Sequence, residues 1–298
     1  DVAYTLKQIG HPAKCFGGRY GLASRDFTPV HAKAIFDNMR SSKPKEKFTV
    51  GITDDVTFLS LPPAKLEGFN KDNKTSQSIF WGLGGDGTIG CNKAAIKSCI
   101  DEAHIYAQGY FAYSADKSNS LTRSYLRMSP EPIRAHYTIS EADFVGCTLP
   151  SYVNQYPMVD NLKEGGVFFL NFPRNDIEGL DKYLPAEFKR KLVQKHAKLY
   201  VIDASKLAMD CGLNGKISTI VQACFYHLTN VLGEHWLPIT ERWIEKEFGR
   251  LGEEVVRKNK LAAQLATKHL KKVEIPEYWA TAQDKKGQFA SKTKLSFM

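Results

Sequence analysis

The order of apolar runs along this chain predicts an α/β protein: a doubly wound, mostly parallel sheet with helices on both faces and a helical C-terminal part. Three observations carry that prediction. Between residues 76 and 211, short apolar runs of strand length alternate with helical patterns, as in a sheet covered on both sides. The first of those runs enters a glycine-rich turn and then a helix, in the stretch SIFWGLGGDGTIGCNK at residues 78–93. From residue 217 to 273 the apolar spacing is helical throughout.

Residues 1–75 lack the pattern of a self-contained domain. AKCFGGRY, at 13–20, reads as a strand ending in a glycine turn, and 28–39 as a helix with Thr28 at its N-cap and Pro29 at its first position. A charged break (SSKPKEK), a short β-like piece at 48–52 and a polar connector follow. This region reads as the end of a preceding domain plus a linker arm.

The regular alternation then runs strand 78–82, helix 90–103, strand 104–112 and, after the polar loop SADKSNS, a third strand at 121–126. Short strands are expected at 137–139 and 144–147, a helix at 150–162 closed by Gly165 and Gly166, and a buried strand (VFFLN) at 167–171. A helix at 178–197, a strand at 199–202 and a short helix at 205–211 stopped by Gly212 complete the pattern. Beyond it, 217–232 reads as a buried helix and 239–251 as a helix with Thr240 at its N-cap. An amphipathic helix is expected at 253–273, with Val256, Leu261, Leu265 and Leu270 on one side. After Pro276 the chain turns polar and lysine-rich, the composition of a linker.

With 298 residues and 43% hydrophobic content the chain can bury one large core or a core with a small annex. No apolar segment approaches bilayer-spanning length, and the first residues have neither an initiator methionine nor a signal-peptide layout, so an excised piece with no membrane partner is expected. A net charge of +9 favours anionic partners. Zinc-finger, basic-zipper and aromatic RNA-binding signatures are absent, so no nucleic acid is expected. The six cysteines (Cys15, Cys91, Cys99, Cys147, Cys211, Cys224) show no C-x-x-C spacing, which predicts reduced thiols and no metal or cluster framework.

Gly82, Gly84 and Gly87 match G-x-G-x-x-G between a strand and a helix, where backbone N–H groups and a helix N-terminus suit a phosphate. It is not a Walker A loop, since Thr88 and Ile89 follow the last glycine. The alternative is a tight strand-to-helix turn without a ligand. Past the second strand, Lys117, Ser118, Asn119 and Ser120, with Arg123 and Arg127 beyond, suit an extra phosphate such as that of NADP or the 3′-phospho-ADP end of coenzyme A, against a solvated turn. The predicted contact set is Gly84, Gly85, Asp86, Gly87, Thr88, Asn92, Lys117, Ser118 and Arg127. No catalytic residue is predicted. The histidines are dispersed, G-x-S-x-G and H-E-x-x-H are absent, and Cys147 at a strand end reads as an inert buried thiol sooner than a nucleophile.

The ordered segments GRYGLASRDFTP, FTVGITDDVTFLSLP, FWGLGGDGTIGCNKAAIK, YAQGYFAYSADKS, SYLRMSPEPIR, ADFVGC, LKEGGVFFLN, KLYVIDA and ISTIVQACFYHL resemble those of the pyruvate:ferredoxin oxidoreductases, including the pyruvate:NADP+ oxidoreductases of some protists. The family commonly carries His where Tyr125 stands and Gly where Ser129 stands.

The resemblance implies that residues 1–30 end a transketolase C-terminal-like domain and 31–75 form a linker arm. Residues 76–275 are then the gamma domain and 276–298 a further linker. It further implies oxidative decarboxylation of pyruvate on thiamine diphosphate, electron flow through [4Fe-4S] clusters to ferredoxin, flavodoxin or NADP+, and release of acetyl-coenzyme A. The parent enzyme would be a homodimer in the cytoplasm or a mitochondrion-related organelle. This piece would contribute coenzyme A binding through Gly84–Thr88 and the Lys117–Ser118 loop, beside other domains of the same polypeptide, and would be inactive alone. Two other readings stand beside it: a structural docking module for an acidic partner, and an NADP-binding domain.

Overall fold

A computed structural model describes residues 1–21, 26–53, 56–64, 74–113 and 120–284. The chain forms two compact units, one of Asp1–Asp72 with Arg134–Thr138, the other of Asn73–Ile133 with Ile139–Met298.

The first unit holds α1 (Val2–Gln8), β1 (Gly17–Arg19), α2 (Pro29–Arg40) and β2 (Lys47–Thr49), with β1 and β2 paired in parallel. Helix α2 starts where its residues direct. Pro29 takes the first position, Thr28 is extended at φ −105°, and the Thr28 N–H donates to His31 Nδ1 at 3.2 Å. Residues 137–139, where a strand is expected, form none, and the Thr138 N–H donates instead to the Asp26 carboxylate at 3.0 Å.

The second unit opens with β3 (Ser76–Leu83), α3 (Thr88–Asp101), β4 (Tyr106–Tyr113), β5 (Leu121–Ser129), β6 (Ala142–Cys147) and β7 (Leu162–Asn171). It continues with α4 (Ile177–Tyr183), α5 (Ala186–Gln194), β8 (Lys198–Ile202), α6 (Ala204–Asp210), α7 (Ser218–Thr229), α8 (Trp236–Phe248), α9 (Glu253–His269) and β9 (Lys271–Val273). Seven strands form one sheet in the order β4-β5-β3-β6-β7-β8-β9. Strands β3, β6, β7 and β8 pair in parallel, while β5 runs against both β3 and β4 and β9 runs against β8. Strands β3, β4, β6, β7 and β8 therefore share one direction and end on one edge.

Alternation along the strands divides the core in two, because successive side chains leave opposite faces. Phe80, Phe144 and Phe169 pack with α3, α6, α7, α8 and α9 on one face. Ile79, Trp81, Val145, Cys147, Phe168 and Leu170 pack with α4, α5 and Trp279 on the other. The predicted double layer of helices is thus present.

Several element boundaries differ from expectation, each for a local reason. Residues 150–162 form two 3-10 turns, Pro150–Asn154 and Met158–Asn161, because Pro157 cannot donate the N–H that would continue a helix. Gly165 and Gly166 lie inside β7 at a register shift against β6, with Gly165 at φ +71°. The expected helix 178–197 is two helices, since the residue before Pro185 is driven extended, with Leu184 at ψ 135°. Helix α8 begins four residues before Thr240, whose hydroxyl donates to the Trp236 carbonyl at 2.7 Å; Pro238 is accommodated in the first turn. The three residues of β9 carry no pattern of their own. They are extended because β8 offers a free edge there.

Candidate functional site

The glycine stretch joins β3 to α3 at the edge where the parallel strands end. Gly87 is the N-cap of α3 at φ 89° and Gly85 lies at φ 96°, conformations open to glycine at little cost. Gly82, Gly84 and Gly87 also answer to neighbouring protein atoms. A Cβ on Gly82 would meet Thr88 Oγ1 at 2.8 Å, one on Gly84 the Ser120 carbonyl at 3.3 Å, and one on Gly87 the Ser218 Cβ at 3.2 Å. Only beside Gly85 and Gly90, among the glycines of this loop and first helical turn, is the space clear within 4 Å. The open side of the turn therefore runs from Gly85 to Gly90.

Asp86 organises the turn. Its Oδ2 accepts from the Leu83 N–H at 2.9 Å and the Thr148 hydroxyl at 2.7 Å, and its Oδ1 accepts from the Thr88 N–H at 2.8 Å. A carboxylate placed at the first N–H of a helix is favoured by the helix dipole and by the unpaired donors there. Hydrogen bonds carry this turn along the strand ends: the Asn171 side-chain amide donates to the Thr148 carbonyl at 2.9 Å, and Asn171 Oδ1 accepts from the Ala204 N–H at 3.0 Å. The ends of β3, β6 and β7 and the start of α6 are thereby tied together. Ser120 belongs to the polar loop that the sequence offers to a phosphate, while Thr148, Asn171 and Ser218 lie outside the predicted contact set. Their one legible mark is position, since Thr148 and Asn171 terminate apolar strands.

The predicted contact residues divide. Gly84, Gly85, Asp86, Gly87 and Thr88 come together in the turn, and the Gly84 N–H donates to the Ser120 carbonyl at 2.8 Å. Lys117 and Ser118 lie outside the described residues. Asn92 is on the sheet-facing side of α3 and fully buried. Arg127 is at the opposite end of the sheet. It is buried on β5 opposite Gln77, donates to Gln77 Oε1 at 3.1 Å and Gln108 Oε1 at 3.2 Å, and sits five residues along β3 from Gly82, about 17 Å at 3.3–3.4 Å per residue. Arg123 stays near the turn, over the Trp81 ring at 5.3 Å.

Strand order also separates this turn from a dinucleotide unit. There the strand that follows the first helix neighbours the first strand, whereas here β5 lies between β3 and β4. Cys147 is buried and donates its Sγ–H to the Leu149 carbonyl at 3.1 Å; burial pushes its thiol up to about 12, and the Asp86 charge adds to the rise. That is a structural thiol. Among the described residues no group of three His, Cys, Asp or Glu side chains is placed to hold a metal ion, and no helix is long and apolar enough to cross a membrane. Two clefts, of about 390 Å³ lined by Glu187, Arg190 and Lys191 and about 250 Å³ lined by Asp143, Lys163 and Lys198, lie away from the turn.

Residues 77–269 match the family model described as pyruvate ferredoxin/flavodoxin oxidoreductase. The pyruvate:ferredoxin oxidoreductase of Moorella thermoacetica is 40% identical over 285 residues, covering 95% of this chain and 24% of that protein. The mitochondrial NADP(+) pyruvate dehydrogenase of Euglena gracilis is 40% identical over 294 residues, covering 95% of this chain and 16% of the other. In fold, the chain is similar to the pyruvate oxidoreductase subunit PORC of Thermotoga maritima, with a TM-score of 0.55 at 22% identity over 67% of this chain and 99% of that one. It is also similar to a 2-oxoglutarate:ferredoxin oxidoreductase of Magnetococcus marinus solved with 2-oxoglutarate, coenzyme A and succinyl-CoA, with a TM-score of 0.53 at 19% identity over 73% of this chain and 33% of that one. The chain spans about a quarter or less of the length of these curated relatives. On the family match, a strand–glycine turn–helix at its start and the double-layered sheet beneath it, this chain belongs to the pyruvate ferredoxin/flavodoxin oxidoreductase family.

Proposed function

We propose that this chain is the gamma-type module of a pyruvate oxidoreductase and that its glycine turn carries part of the coenzyme A site. The enzyme would convert pyruvate and coenzyme A to acetyl-coenzyme A and carbon dioxide, passing electrons to ferredoxin, flavodoxin or NADP+. The observation that carries the coenzyme A reading is the open side of the turn from Gly85 to Gly90, at the edge where the parallel strands end and beside a helix N-terminus. The coenzyme A in the solved M. marinus fold relative is in keeping with it.

The ligand-facing group in this reading is Gly85, Gly87 and the first turn of α3, with Lys117 and Ser118 meeting the extra phosphate. Asp86 and Thr88 shape the turn from behind, since their donors and acceptors engage each other, Leu83 and Thr148. Asn92, buried beneath α3, and Arg127, at the far end of β5, make no ligand contact in this reading. Among the described residues no three His, Cys, Asp or Glu side chains gather where an iron–sulfur cluster could be held. We assign the clusters and thiamine diphosphate to other domains of the parent polypeptide, a cytoplasmic or organellar homodimer, with turnover absent from this chain alone.

Calorimetric titration with coenzyme A beside dephospho-coenzyme A tests the site. Loss of the extra phosphate is expected to cost about 1.5–3 kcal/mol, roughly ten- to 150-fold in Kd, and Gly90→Glu, which sets a carboxylate on the open side, should abolish binding. Equal affinities, or no heat, remove the phosphate assignment. A second reading has its own observation: Asp86 already takes the Thr88 N–H, so a donor at the start of α3 is spent within the chain. Salt-sensitive binding of an acidic ferredoxin without nucleotide binding favours that docking role. Competition by NADP+ would favour a nucleotide-binding domain.

A further inference from the structure

Helix α3 presents a defined stripe to the sheet. At its first turn Thr88 lies over Gly82 of β3, whose added Cβ would come within 2.8 Å of Thr88 Oγ1. At its last turns Cys99 Sγ donates to Met128 Sδ of β5 at 3.5 Å. On one flank Ile96 approaches Gly109 of β4 and Lys93 lies over the Phe111 ring at 5.6 Å; on the other, Gly87 abuts Ser218 at the start of α7. Residues three and four apart share a helix face, so Asn92 lies on the Thr88–Ala95–Cys99 stripe, turned toward the β4 flank, above β5.

The surface it faces there is polar. Thr122 of β5 is the cross-strand partner of Gly82, and Ser124 is the partner of Phe80. Phe80 points to the α3 face of the sheet, and alternation puts Ser124 and Thr122 on the same face. Asn92, Thr122 and Ser124 are all at least 98% buried. Both amide atoms of Asn92, the Thr122 hydroxyl and the Ser124 hydroxyl find no hydrogen-bond partner in the protein. An isolated buried polar group is costly, and several gathered beneath one helix imply a shared partner.

We propose that Asn92, Thr122 and Ser124 form a closed water-binding site between α3 and β5. Asn92 supplies two donors and an acceptor, and each hydroxyl supplies one donor and two acceptors, which matches the two to four bonds an enclosed water makes. Water there holds α3 against β5 by hydrogen bonds where an apolar seam continues on either side, and so fixes the helix whose first turn closes the glycine stretch. Asn92 is a positioning residue in this arrangement, independent of what binds at the turn.

Thermal unfolding of the full chain with Asn92→Leu, Thr122→Val, Ser124→Ala and the triple variant tests the site. Each single change strands the groups that remain, so each is expected to lower Tm by about 2–4 °C. The triple variant dries the site, so its loss should be smaller than the sum of the three. A crystal structure of the unmodified chain should show water within hydrogen-bond distance of Asn92. Single changes that raise Tm or leave it unchanged, and that add in the triple variant, overturn the proposal. If Asn92→Leu fails to fold, the Thr122→Val and Ser124→Ala pair supports the same comparison, with sub-additive losses supporting the site and additive gains overturning it.

Discussion

Thr148 donates its hydroxyl to the Asp86 oxygen that also takes the Leu83 N–H, so the turn after β3 is tied to the end of β6 through one carboxylate. Asp86 thereby does for its own turn part of what a bound anion would do. The turn is preformed, and a ligand must use the donors on its outer side.

Removing that carboxylate should loosen the strand ends together. Asp86→Ala leaves the Leu83 and Thr88 N–H groups without their acceptor and the Thr148 hydroxyl with only the Trp81 carbonyl at 3.3 Å, for an expected loss of about 2–3 kcal/mol. Thr148→Val removes one of these bonds and should cost about 1 kcal/mol. Urea unfolding midpoints check both, and equal losses would mean that Thr148, not Asp86, is the centre of the network.

Gly85 and Gly90 both face open space, yet they should respond oppositely to alanine. Gly90 is helical, so Gly90→Ala should stabilise by about 0.5–1 kcal/mol. Gly85 is held at φ 96°, so Gly85→Ala should destabilise by about 1–2 kcal/mol. The pair is read from chemical unfolding at fixed pH.

Thiol accessibility follows burial. Cys15 is exposed and the other five cysteines are buried, so a thiol reagent should titrate one group in the native chain and six after denaturation. Rapid modification of Cys147 in the native state would contradict the closed packing of the β6 end.

The same thiols set an alkaline limit. Burial pushes Cys99 and Cys147 from 9.0 up to about 12, and pushes Cys91 and Cys224 up as well. Above pH 9 the unfolded chain loses thiol protons that the folded chain keeps. The folded state then binds more protons, and stability falls as pH rises through the 9–12 window. Unfolding midpoints between pH 8 and 11 should decline, and Cys147→Ser should flatten the slope by up to one proton.

Trp279 tests the stretch whose composition reads as linker. It is fully buried, donates its indole N–H to Asp181 Oδ1 at 2.9 Å and lies 5.8 Å from Lys189 Nζ. Trp279→Ala should cost about 3–5 kcal/mol in the second unit. A loss under 1 kcal/mol would show that this segment docks without stabilising the fold.

Much of the fold was legible because its rules are local. Pro29 after Thr28 announces α2, VFFLN announces a strand buried on both faces, and the glycine turn is marked by residues that few other conformations require. The illegible parts depend on distant partners. A three-residue strand such as β9 exists only because β8 ends the parallel set with an open edge, and Arg127 reads as part of a basic loop until strand register places it at the far end of the sheet. Asn92 reads as a polar residue near a phosphate loop, and only helix packing turns it toward β5.

By itself the order of residues determined the α/β class, the strand–turn–helix expected at residues 78–103 and the resemblance to pyruvate oxidoreductases, because periodicity, glycine conformation and segment order are properties of the chain alone. Tertiary structure decided that β5 inserts between β3 and β4, that Asp86 spends its carboxylate on Leu83, Thr88 and Thr148, and which glycines face open space. Those are relations between residues far apart in the chain, as Thr148 and Asp86 are at 62 positions, created by strand pairing and packing, and no local pattern encodes them.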